Sequence, residues 1–347
     1  MVRVQHRAVA ILALSGCVWT TYAQPQEHHA AAPPAKAAAD VDLTPKFKAG
    51  DRLELLWRRR SERHTPEGAT ITPDITQRAT IEVLAPTAEG PVLAWTWGPL
   101  ELEGVPRPAG EVDAGIALLE NLRYELQLDS TWRIISVRDA EKLFAEVDRL
   151  GAIEDAKPLP VAVDEASAAV REAVRKSREL ARTLRKNRTV VLGSFIKDPA
   201  SYLAGIGWTL PPTETWRFTF ETANAVDGAP ITTYWDVGVS EFDPASATAT
   251  ILWEQRYDPA QFQAVVLKAT RDLARKAGDK DFDTIQIDLE QHEEGMYVID
   301  RATGWCVRGG WMLVRRQGKT VTKRVNLWEI VLPKGDAPLN QEARPER

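Results

Sequence analysis

Cysteine is nearly absent. The 347 residues include two, Cys17 and Cys306, too few for a disulfide framework. There is no basic excess, since 44 Lys plus Arg stand against 49 Asp plus Glu for a formal charge of −5, so no general electrostatic drive brings the chain to nucleic acid. The apolar run Ala8 to Leu14 is far shorter than the about 20 residues a membrane-crossing helix needs. Histidine is scarce, and only His64 and His292 fall where a core can form, which leaves a histidine triad few candidates. No G-x-S-x-G, H-E-x-x-H, P-loop or G-x-G-x-x-G occurs, which removes the commonest hydrolase, zinc-protease and nucleotide readings. With 44% hydrophobic and 27% charged residues, what remains is a globular protein able to bury a substantial core.

The N-terminus is informative. Arg3 and Arg7 precede the apolar run, the layout of an export signal. Two cleavage readings fit. Leu14-Ser15-Gly16-Cys17 looks like a bacterial lipobox, with Cys17 the acylated first residue of the mature chain; ordinary signal-peptidase cleavage after Ala23, with Thr21 and Ala23 in the small-residue positions, is the other. The lipobox is favoured because it ends the apolar run with the right four residue types. Both readings put the mature protein outside the cytoplasm, in the periplasm or at the periplasmic face of the outer membrane. Cleavage after Ala23 would remove two basic residues and no acidic one, and would leave Cys306 as a single thiol. With no histidine close in sequence, Cys306 reads as a small buried hydrophobe.

The chain divides into an export signal (1–23), an Ala/Pro-rich tether (24–44), a β-rich half (45–155), a helical connector (156–210), a second β-rich half (211–333) and a charged tail (334–347). The two halves share landmarks. Ile75 to Trp97 and Ile231 to Trp253 align over 23 residues without a gap, and both read strand, turn, strand. Tyr124 precedes Trp132 by eight residues, as Tyr297 precedes Trp305, each pair flanking a polar turn. Upstream, Leu53, Leu55 and Trp57 alternate as Trp216, Phe218 and Phe220 do. The expectation is an α+β fold of two related curved antiparallel sheet units with packed helices, joined by a long basic amphipathic helix.

That helix begins at Asp164, a capping residue, and runs to about Arg188 with an apolar stripe at helical spacing. Its other face has eight basic side chains against Glu172 and Glu179. Arg171, Arg175, Arg178, Arg182 and Arg185 are therefore candidate contacts for anionic headgroups or another polyanion, against the plainer reading of a solvated face. A second helix starts at Asp258-Pro259 and stops at Gly278, and an antiparallel meander follows through the Gln317-Gly318-Lys319 turn.

Metal and catalytic readings are thin. Asp279, Asp281, Asp283 and Glu290 fall at positions 1, 3, 5 and 12 of a calcium-loop frame, but position 6 is Thr284 where a sharp turn needs glycine. His28-His29 has no third ligand. His292 reads as part of a polar hairpin end. Asp288 and Glu290 share a strand face, which keeps a carboxylate-dependent, glycan-acting enzyme open as an alternative. No cofactor, metal or catalytic residue is assigned. The twelve tryptophans are two to three times the roughly expected number. Trp95, Trp97, Trp235, Trp253, Trp305 and Trp311 lie in predicted strands, where they either line a ligand face or form the core.

Phe47-Lys48-Ala49-Gly50-Asp51 and Val298-Ile299-Asp300-Arg301-Ala302-Thr303-Gly304-Trp305 resemble segments of a loose group of exported bacterial proteins of no established activity. Curved-sheet lipoprotein carriers of the bacterial envelope are similar in outline. The resemblance implies an exported α+β protein with a duplicated antiparallel unit, and no site residues. The functional expectation is a non-catalytic binding or assembly factor for a lipid-like or acylated ligand, membrane-associated if Cys17 is acylated and open to an envelope protein partner. A structural partner-binding protein with a solid core is a further alternative.

Overall fold

A computed structural model describes residues 40–331 apart from 73, 103–119, 121, 160–163, 213, 224–228, 241–244 and 277–288. The described strands are β1 (Val41–Asp42), β2 (Arg52–Thr65), β3 (Gly68–Ile71), β4 (Ile75–Thr87), β5 (Gly90–Leu102), β6 (Arg123–Leu128), β7 (Ile134–Arg138), β8 (Thr209–Leu210), β9 (Thr215–Ala223), β10 (Pro230–Ser240), β11 (Thr248–Tyr257), β12 (Leu289–Asp300), β13 (Cys306–Gln317) and β14 (Thr320–Ile330). The described helices are α1 (Ala140–Ala156), α2 (Glu165–Lys186), α3 (Arg188–Leu203) and α4 (Pro259–Lys276). All but β1 and β8 join one antiparallel sheet, in the order β7-β6-β5-β4-β2-β14-β13-β12-β11-β10-β9, with β3 folded back on β2.

The sheet units expected to be separate are one continuous sheet. The last strand, β14, pairs with the first long strand, β2, from Val321↔His64 to Ile330↔Leu55, and this closure removes two edges that would otherwise be open to aggregation. The basic helix therefore bridges nothing that is not already hydrogen-bonded. Around the join, β2, β4, β5, β6 and β7 succeed one another in the same spatial order as β9, β10, β11, β12 and β13. The paired sequence landmarks also converge. Asp129 and Asp300 each accept backbone N–H bonds within their turns, and the Phe47 ring stacks on Trp305 at 3.5 Å while meeting Trp132 edge-on at 4.9 Å.

Period-two alternation sends alternate residues to opposite faces. On the inner face Leu55, Trp57, Ile81, Trp95, Tyr297 and Trp328 are buried, each large side chain contributing roughly 3 kcal/mol through burial. Gly295 and Gly309 make room for this packing: a Cβ at either would come within 2.8 Å of the Trp253 or Trp328 indole, respectively. The lid on this face is α3 and the segment after it, through Phe195, Tyr202, Leu203, Ile206 and Leu210. Pro199 sits inside α3 and has no N–H, so the Phe195 carbonyl four residues earlier loses its helical donor. The buried Tyr124 hydroxyl on β6 replaces that donor at 2.8 Å.

Two further expectations change. Helical structure starts at Ala140, inside the region read as the first β-rich half, because Leu143, Phe144, Val147 and Leu150 bury a helical stripe. His292 lies inside the twelve-residue β12 rather than at a hairpin end, since the alternation of Leu289, Gln291, Tyr297 and Ile299 toward the core continues through it.

Candidate functional site

The opposite, outer face of the sheet carries a trough of about 1090 Å³ spanning β2 and β9–β14. Its geometry follows from register, since directly paired residues share a face. One row runs across the strands as Leu327, Gly310, Met296, Leu252 and Gly238, with Arg58 at its β2 end. Leu327 is 50% exposed and Leu252 48%. Gly310 and Gly238 carry no side chain, and neighbours lean into the space: a Cβ at Gly310 would meet the Leu327 side chain at 2.6 Å, and one at Gly238 the Thr215 hydroxyl at 3.1 Å. Met312 and Val325 extend the apolar surface on one side of this row, and Leu56 on the other.

The two margins differ in charge. Beside the apolar row on one side, Leu56, Glu329, Arg308 and Val298 are cross-strand neighbours. Arg58 reaches Glu329 at 3.2 Å, whereas Arg308 has no ion-pair partner among the described residues. On the other side Glu294, Glu254 and Asp236 stand opposite one another on β12, β11 and β10, an arrangement that costs energy unless countered. The counter-charges are Arg217, at 2.6 Å from Asp236, and Arg256, at 2.9 Å from Asp236 and 3.3 Å from Glu254. The hydrogen bond from Arg217, aided by Arg256, holds the Asp236 carboxyl below the usual carboxylate range against the opposing effect of burial.

Most of the predicted site residues fall elsewhere. Trp95, Trp97, Trp235, Trp253, Trp305 and Trp311 are all at most 9% exposed, their rings in the inner-face core. Trp253 and Trp311 border the trough from beneath. On α2, Arg175 is bound by Glu172 and Glu179, Arg182 and Arg185 by Asp155 of α1, and Arg178 by the carbonyls of Lys157 and Pro158. Arg171 is exposed, with no ion pair among the described residues. The basic face is thus partly paired, by Glu172 and Glu179 at helical spacing on α2 itself and by Asp155 from α1, a contact that sequence spacing does not display. Burial pushes the Cys306 thiol up to about 12, so it acts as a core residue and takes the Trp328 indole N–H at 3.4 Å. Glu290 is exposed, with Arg316 at 3.8 Å. Cys17, His28, His29, Asp279, Asp281, Asp283 and Asp288 lie outside the described residues.

A polar network pins α3 to the inner face, outside the trough. Asp198 takes Arg59 at 2.5 Å and Asn326 at 3.3 Å, and Asn326 in turn accepts the Trp57 indole N–H at 3.1 Å. Lys197 places its ammonium 4.8 Å from the centre of the Trp311 ring. Burial pushes the Glu293 carboxyl up and the Lys197 ammonium down, and each charge partly offsets the other's shift. Burial also lowers Arg315, to about 10. Asp198, Arg59, Asn326 and Trp57 are held to one another by these bonds, and Arg315 by the Gln291 side-chain carbonyl at 2.9 Å.

Among the described residues no group of three or more histidine, cysteine or acidic side chains is placed to hold a metal ion, and no helix is long and apolar enough to cross a membrane. No protein-family model matches the chain, and no curated protein matches it. Among solved structures, one concerned with lipid–protein interactions in lipovitellin is similar at a TM-score of 0.40 and 10% identity, over 87% of this chain and 27% of that one. This chain thus spans about a quarter of that protein's length, and a likeness of that size transfers neither fold nor ligand.

Proposed function

We propose that the protein is a non-catalytic binding factor of the bacterial envelope that holds an elongated apolar ligand, a lipid or an acylated chain, on the open face of its sheet. The trough carries this reading: an apolar row across five strands, with Leu252 and Leu327 about half exposed, lines a concavity of the kind that takes a ligand, mostly apolar with a few polar groups at its margins. Its volume of about 1090 Å³ lies just above the range for small-molecule sites, roughly 300–1,000 Å³. The ligand face is accordingly opposite the tryptophan face that the sequence suggested.

Export and anchoring belong to the same proposal, supported by Arg3, Arg7, the run Ala8 to Leu14 and the four residues ending at Cys17. The repeated strand order supports two related units fused into one sheet. Mass spectrometry of the protein purified from its native envelope tests the whole. Denatured protein is expected to carry an acylated Cys17, and the native spectrum an additional apolar molecule that a Leu252→Asp/Leu327→Asp variant lacks. A native spectrum with nothing bound overturns the ligand, and a chain beginning at Gln24 overturns the anchor.

A further inference from the structure

We infer that the ligand of the trough is a single-chain amphiphile with an anionic head group, seated with its head at Arg308, near Leu327, and its chain along the Gly310–Met296–Leu252–Gly238 part of the row. This rests on the binding role proposed above and adds the ligand's charge and direction. Length comes first. From Arg308 on β13 the row runs across β12 and β11 to β10, three strand spacings, or about 14 Å. That is a course for an extended hydrocarbon chain rather than for a compact ring system.

Charge sets the direction. Arg308 flanks the β13 step of the row, beside Glu329, which Arg58 already neutralises at 3.2 Å. That margin therefore offers one guanidinium without a counter-ion among the described residues. A guanidinium presents a planar fork of donors suited to a carboxylate or phosphate. Across the row, Glu294 is exposed and, among the described residues, lacks an ion-pair partner next to Glu254. An anionic head is repelled from this margin and attracted to the other, so one orientation is selected. A second copy of the chain fits less well: two concave faces brought together would enclose about twice the trough's volume and leave it unfilled, against the close packing that a stable interface requires.

The test uses the full chain and three probes of equal chain length below their micellar concentrations: laurate, dodecanol and dodecyltrimethylammonium. Binding is followed by calorimetric titration, with thermal unfolding of each variant as a folding control. Laurate is expected to bind at least tenfold more tightly than either other probe. Arg308→Glu should remove that preference while leaving dodecanol unchanged, and Arg308→Lys should keep most of it. Equal affinity for laurate and dodecanol, or a laurate preference that survives Arg308→Glu, overturns the anionic head group and leaves the apolar trough standing. Binding of none of the three overturns the binding role as well. Self-association that Leu252→Asp abolishes, without amphiphile binding, would assign the face to contact between copies.

Discussion

Removing one hydroxyl, in Tyr124→Phe, is expected to destabilise the fold through a helix on which that residue does not lie. The Tyr124 hydroxyl donates at 2.8 Å to the Phe195 carbonyl, and burial keeps it protonated by raising its pKa well above that of a free tyrosine. In an ordinary helix that carbonyl would receive the N–H of residue 199, but Pro199 has none. Without the hydroxyl a buried acceptor is left unsatisfied, at a cost of about 1–3 kcal/mol, or roughly 2–4 °C in Tm per kcal/mol for a protein of this size. Pro199→Ala supplies the missing donor. In that background Tyr124→Phe should cost less than about 1 kcal/mol, and the difference is the coupling that a double-mutant cycle isolates from changes in packing or unfolded-state entropy. Urea unfolding of the four proteins measures it. Equal cost of Tyr124→Phe in both backgrounds would refute the assignment of the hydroxyl as a substitute helical donor.

Three further outcomes are expected. Gly309→Ala places a methyl group 2.8 Å from the Trp328 indole and 2.9 Å from the Met296 carbonyl, so overpacking should cost about 1–3 kcal/mol and alter near-ultraviolet circular dichroism; an unchanged Tm would show that the indole can move aside. Asp155 is pushed up by burial, but the hydrogen bonds from Arg182 and Arg185 outweigh this and hold its carboxyl below the usual value of 3.8. Its contribution is present above about pH 4 and lost as the pH falls through the lowered folded-state value; Asp155→Asn should therefore flatten the acid limb of the stability curve, and an unchanged limb counts against the ion pairs. In a Cys17→Ser chain, Cys306 should be silent to a thiol reagent when native and titrate fully in denaturant, because its thiol is buried and raised to about 12; rapid native reaction would place it at the surface.

Much of the sheet was legible from local pattern. Alternation in Leu53, Leu55 and Trp57, or in Trp216, Phe218 and Phe220, marks strands whatever their partners, and Asp258-Pro259 marks the start of α4. The paired Tyr landmarks fall on two strands of the one sheet, Tyr124 on β6 and Tyr297 on β12. Pairing at long range was not legible, because the β2–β14 closure joins residues more than 250 positions apart and leaves no trace in either segment. Helix α1 was missed for a related reason: its apolar stripe is narrow, and only its neighbours show it to be buried.

The composition and periodicity of the chain by themselves determined that it would build a tryptophan-rich antiparallel sheet with amphipathic helices, since alternation and apolar stripes act through neighbouring residues. Tertiary structure alone decided which sheet face is sealed and which is open. Leu252 and Leu327 look like any strand leucines, and Arg308 like any strand arginine, until register sets Leu327, Gly310, Met296 and Leu252 in one row and α3 covers the other face. The same holds for Arg182 and Arg185 of α2, whose charge was evident but whose counter-ion, Asp155, comes from another helix. Charge and hydrophobicity are properties of residues, whereas exposure and pairing are properties of their arrangement.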